Sequence, residues 1–108
     1  MSIEELKEKF WNEWQNTPKV DKLLWIKDNL PHSINSTIRI EDGLHILDCM
    51  ESMISSLCGK HPGGDFVEAF LSNDLTRTLD TADDINQLVL RTYMLFIYNK
   101  VPYQLRRK

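Results

Sequence analysis

Between Leu88 and Tyr98 the chain reads Leu-Val-Leu-Arg-Thr-Tyr-Met-Leu-Phe-Ile-Tyr, interrupted only by Arg91 and Thr92. A helix with so little polar face must be covered on most sides, either inside a core or against another helix. Upstream, Thr81 is placed to open such a helix. Asp83 and Asp84 fall in its first turn, where negative charge suits the positive end of the helix dipole. Downstream, Asn99-Lys100-Val101-Pro102 closes it. The expectation is a central helix over 82–99 with other helices around it.

The rest of the chain is punctuated for helices too. Ser2 and Glu5 form a capping-box pair, and Ile3, Leu6, Phe10 and Trp14 follow at steps of three and four, with Trp11 flanking them. Thr17-Pro18 reads as a cap and first turn for a second helix carrying Val20, Leu23, Leu24 and Lys27, stopped at Leu30-Pro31. The segment 32–41 admits three readings: a short extended stretch on Ile34, Ile38 and Ile40, a polar loop anchored by those isoleucines, or a helix beginning as early as Ser36. Asp42 is placed to cap a helix through Cys58, with Gly59 as its stop and Ile46, Met50, Met53 and Leu57 as its apolar stripe. Asp65, followed by Glu68, caps the next, whose inner face is Phe66, Val67, Phe70 and Leu71. Asn73-Asp74 breaks it before a short helix on Leu75 and Leu79.

These elements predict an all-α fold: one domain over 1–108, a compact bundle of five or six helices around the apolar C-terminal helix, with 102–108 as a basic, frayed tail. Gly and Pro number only four each and fall at element boundaries, which argues against a many-turned β-sandwich. The net charge of -3 lacks the basic surface of a dedicated nucleic-acid binder. No stretch approaches the roughly 20 apolar residues that span a bilayer, and the acidic start lacks a signal run. Cys49 and Cys58, nine residues apart on one helix, stand about 13 Å apart along its axis, beyond disulfide reach. Two free thiols then point to a reducing, cytoplasmic setting.

Catalytic and cofactor chemistry has little to build on, and no cofactor is expected. His32, His45 and His61 are scattered, and no Cys-x-x-Cys or His-x-x-x-His spacing provides a metal site. Cys58, followed by Lys60 and His61, is the better candidate for a reactive thiol, but its place on an apolar helix face reads as packing. Asp74, Asp80, Asp83 and Asp84 could supply paired carboxylates, yet they lack calcium-loop spacing, and the dipole at the start of the last helix explains Asp83 and Asp84, which favours helix capping over catalysis. The loop from Gly59 to Asp65 could cradle an anion on the glycines Gly63 and Gly64, with charge from Lys60, His61 and either Arg77 or Arg91. A plain tight connection competes with that reading, because Asp65 at the cap repels an anion. Trp11, off the centre line of its helix, is a candidate for partial exposure at a partner contact.

One resemblance adds to this. Gly63-Gly64-x-Phe66-Val67-x-Ala69-x-Leu71, Asn73-Asp74-Leu75, Ala82-Asp83 with Asn86, and Tyr98-Asn99-x-x-Pro102 resemble small helical accessory proteins of bacteriophages and other mobile elements, over residues 63–102. Those proteins have no assigned chemistry, so no catalytic residue is carried over. The resemblance implies an accessory role in phage–host interaction. The resulting expectation is a non-enzymatic binding protein that contacts a host macromolecule, expected to be a protein, through Trp11, Asn73, Asp74, Asp83 and Asn86, and that self-associates as a homodimer or larger. The alternative is a nucleotide binder or sponge using Lys60, His61, Gly63, Gly64, Arg77 and Arg91.

Overall fold

A computed structural model describes residues 1–35 and 38–106. All regular structure among them is helical: α1 (Ile3–Asn16), α2 (Lys19–Asp28), α3 (His32–Asn35), α4 (Ile40–Leu57), α5 (Asp65–Leu71), α6 (Leu75–Thr81), α7 (Asp84–Leu88) and α8 (Leu90–Lys100), then a 3-10 turn at Tyr103–Leu105. The all-α expectation holds, with more and shorter helices than the five or six foreseen. The helix start at Ser36 lies outside the described residues. Ile34 and Ile38 pack against the core, whereas Ile40 is exposed on the first turn of α4.

Local chemistry sets the boundaries. Ser2 Oγ accepts the Glu5 N–H at 3.1 Å, as the capping box requires. Thr17 does not cap α2; its hydroxyl turns back to the Glu13 carbonyl at 2.8 Å, and Pro18 takes the cap position. Arg39 is the cap of α4, and Asp42 serves it from the third helical position by accepting the Arg39 N–H at 3.1 Å. Its end is a Schellman turn: Gly59 has φ +73°, and the Lys60 and Gly59 amides donate to Ser55 and Ser56 carbonyls at 2.8 and 3.1 Å. α5 ends in the same way, with Asn73 at φ 61° and the Asp74 and Asn73 amides donating to Ala69 and Phe70 at 3.0 and 3.2 Å.

The widest set of neighbours belongs to α4, which packs against α1, α2, α5 and α7. Its stripe Ile46, Met50, Met53, Ile54 and Leu57 is buried as the spacing predicts. The single helix expected over 82–99 is bent at Val89, where φ is -111° and ψ 18°. Hydrogen bonds from Val89 to Ile85 and from Tyr93 to Val89 cross the junction, so the backbone kinks rather than stops. Thr81 closes α6 instead of opening the last helix, and Asp83 is the cap of α7. Tyr93 and Phe96 are fully enclosed, but Met94 and Tyr98 face outward, so α8 has an uncovered side; Leu88, at the end of α7, is exposed too.

α2 is rotated relative to its expected register. Val20 and Leu24 face outward, while Lys22 and Ile26 turn in. Leu23-Leu24-Trp25-Ile26 is apolar on every face, so periodicity alone does not orient it. Contacts made by Lys22 and Trp25 do: Lys22 Nζ lies 3.1 Å from Glu51 Oε1 and 4.2 Å from the Trp14 ring centre, and Trp25 meets Phe96 edge-on at 5.7 Å. Ile3, on the apolar face expected of α1, is exposed as well, as are Leu75 and Leu79 of α6. The C-terminal segment is docked as far as Arg106, because Val101 and Leu105 are buried anchors. Arg107 and Lys108 of the expected tail lie outside the described residues.

Candidate functional site

α5, α6 and α8 meet at an open groove of about 250 Å³. Phe70 and Leu71 come from α5, Leu75 and Thr78 from α6, and Leu90, Met94, Ile97 and Tyr98 from α8. The Schellman turn at Asn73 sets this shape by reversing the chain between α5 and α6, so that α6 stands beside α5 and opposite α8. The banks are apolar and uncovered: Leu75 is 69% exposed, Met94 50% and Tyr98 64%. At one end sits Arg106, whose guanidinium carbon lies 4.9 Å from the Tyr98 ring centre and 5.6 Å from that of Tyr103. The groove has no signature in the sequence. Leu90, Met94 and Ile97 follow helical spacing, but nothing in the spacing says which side of an all-apolar helix is left bare.

A second concavity, about 300 Å³, lies between α1, α2 and α8 over Trp14, Trp25 and Phe96, with Glu13, Asp21 and Lys100 at its rim. Lys22 closes its floor and is only 8% exposed, held by Glu51. A third, about 380 Å³ and lined by Leu23, Leu30, Ile38 and Leu44, lies between α2 and α4.

The residues expected to meet a partner are dispersed. Trp11 is half-buried, with Lys60 Nζ 5.4 Å from its ring centre, so its free face is small. Asn73 supplies the left-handed residue of the turn and also lines the groove, the one expected contact residue that does. Asp74 caps α6 by accepting the Arg77 N–H at 3.1 Å. Asp83 caps α7 by accepting the Asn86 N–H at 2.7 Å, and its second oxygen lies 2.8 Å from His45 Nε2, whose N–H is not aimed along that line. Asn86 is turned inward and 4% exposed, with its side-chain carbonyl accepting from Tyr93 Oη at 2.6 Å and its amide 3.6 Å from Cys49 Sγ. It ties α7 to α8 and α4.

The anion-cradle residues do not converge. Lys60 Nζ is paired with Glu8 Oε1 at 2.6 Å. His61 and Gly64 are exposed. The Gly63 N–H donates to Glu68 Oε2 at 3.2 Å, and the same oxygen accepts from Ser56 Oγ at 2.6 Å. A carboxylate of the chain itself therefore occupies the place an anion would take. Gly64, not Asp65, is the cap of α5, with a φ of -71° and open space where a Cβ would stand. Gly63 is the crowded position, since a Cβ there would run into the Val67 side chain. Arg77 reaches Asp65 at 3.4 Å, and the described contacts join Arg91 to none of these groups.

Both thiols are free. Burial pushes Cys58 up from its ordinary pKa against the opposing pull of Lys60, and burial likewise pushes Cys49 up. Protonated thiols are poor nucleophiles. No group of three or more metal-ligating side chains occurs among the described residues, and no described helix is long and apolar enough to cross a membrane. No family model matches the chain, and no curated protein or solved structure matches it significantly.

Proposed function

We propose that this is a non-enzymatic binding protein, an accessory factor of the phage type that engages a host protein in the cytoplasm through the groove between α5, α6 and α8. The observation that carries the reading is the set of uncovered apolar banks, Leu75, Met94 and Tyr98, around a concave apolar floor. Contiguous exposed apolar surface on a small domain marks an interaction site. The anionic-ligand alternative has less behind it, because Glu68 and Glu8 already engage the Gly63 N–H and Lys60.

Affinity capture from host lysate with wild type and Met94→Glu tests this. Met94 is half exposed, so the variant keeps the fold while placing a charge on the bank. A protein captured by wild type and lost with Met94→Glu is the expected result. Capture that is indifferent to Met94→Glu would move the site elsewhere. Self-association through the same bare side of α8 would show as a dimer of wild type, dissociated by Met94→Glu, in sedimentation equilibrium.

A further inference from the structure

The groove ends on a cation whose pairing among the described residues is incomplete. Of the described residues lining it, Arg106 is the charged one. Its Nη2 donates to the carbonyls of Tyr98 and Val101 at 2.6 and 3.2 Å, which fixes the side chain at the C-terminal end of α8. Its Nε is shielded from solvent and has no acceptor among the described residues. A buried guanidinium N–H without an acceptor is costly, and an ionised acceptor relieves that cost best. The Tyr98 ring beside it is largely exposed, so it can swing aside and open the guanidinium without disturbing the core.

The geometry points to an occupant with two features: an amphipathic helix of the partner whose apolar face fills the groove, and an Asp or Glu on that helix that meets Arg106. This rests on the groove being the binding site. The helical form follows from the walls. Leu90, Met94 and Ile97 stand at i, i+4 and i+7 along one bank, the ladder into which apolar anchors of a second helix fit. No strand edge is present among the described residues to pair with an extended segment. The acidic requirement follows from charge: among the described residues the apolar groove carries its charge at the Arg106 end, and that charge is positive, which favours a negative group there.

Selection of a displayed library of helix-forming 14-residue peptides on the immobilised full chain, counter-selected on Met94→Glu, tests this. Enriched peptides should carry apolar residues at i, i+3 or i+4, and i+7, with Asp or Glu fixed at one end. Changing that acid to its amide should weaken binding to wild type about tenfold, the effect of one charge-assisted hydrogen bond, and should not weaken binding to Arg106→Gln. Arg106→Lys, which keeps the charge, should retain the preference for the acid, and thermal melts of both variants confirm folding. Enriched apolar peptides with no acidic bias would overturn the charge argument while leaving the groove as the site. If no peptide is enriched but decanoate binds, or wild type proves to be a dimer through this face, the helical occupant is wrong. Lysate capture unaffected by Met94→Glu would instead remove the underlying reading.

Discussion

The Tyr93 hydroxyl donates to the side-chain carbonyl of Asn86 at 2.6 Å, within the core and one helix away along the chain. Cys49 of α4 lies against the same amide. The three side chains thus join α4, α7 and α8 through polar groups that have little water to turn to. Tyr93→Phe would leave the Asn86 carbonyl without its best donor and should lower unfolding free energy by about 1–3 kcal/mol. Asn86→Leu should cost at least as much, and the double variant should cost less than the sum. Chemical denaturation of the four proteins checks both points.

The same network predicts the alkaline limb of stability. Burial pushes the Tyr93 phenol well above its ordinary pKa, and burial pushes Cys49 up too. The folded protein holds these protons where the unfolded chain releases them, near pH 8.5 for a thiol and about 10 for a phenol. Stability is therefore full below those values and falls as pH rises through them, with a limiting slope of about 1.4 kcal/mol per unit for Tyr93 and a smaller one for the partly exposed Cys49. Denaturation midpoints between pH 7 and 11 should drop, and Tyr93→Phe should flatten the part above about pH 10.

Phe96 joins the N-terminal helices to α8. Its ring lies 5.2 Å from that of Trp14 and 5.7 Å from that of Trp25, and it is 1% exposed. Phe96→Ala should cost about 3–5 kcal/mol through lost transfer energy and the cavity left between two tryptophans. A loss below about 1 kcal/mol in denaturant unfolding would contradict this packing. Tryptophan fluorescence should report the same site, because both indoles border it.

Gly63 and Gly64 should behave oppositely. Gly63→Ala brings a methyl group onto Val67 and should cost about 1–3 kcal/mol by overpacking. Gly64 has open space and an ordinary extended φ, so Gly64→Ser should be neutral within about 0.5 kcal/mol, serine being a good cap residue. Thermal melts of the two single variants are sufficient.

Lys22 supplies one more test. It is buried against Trp14, with Glu51 as its counter-charge. Glu51→Gln should destabilise by about 1–2 kcal/mol, less than a fully enclosed pair because Glu51 is itself part-exposed. Glu51→Gln paired with Lys22→Met should recover much of that loss, since an apolar side chain of similar length suits the aromatic surroundings.

Local signals were legible where the physics is local. Ser2, Asp74, Asp83 and the Gly59 stop sit at helix junctions as their chemistry demands, and the Ile46–Met50–Met53–Leu57 stripe is buried because a single face of α4 carries it. Where a segment is apolar on every side, as at Leu23–Ile26 and Leu88–Tyr98, spacing gave no orientation. Packing partners from distant parts of the chain decided it: Glu51 drew Lys22 inward, and Trp14 and Trp25 claimed the Phe96 face of α8. Asn73, Asp74, Asp83 and Asn86 are conspicuous in the sequence because they are polar at helix ends, but the caps and the buried network account for much of that polarity. Only the tertiary arrangement brought α5, α6 and α8 together, left Met94 and Tyr98 bare, and placed Arg106 at the end of the groove, because those contacts link residues whose separation along the chain carries no periodic signal.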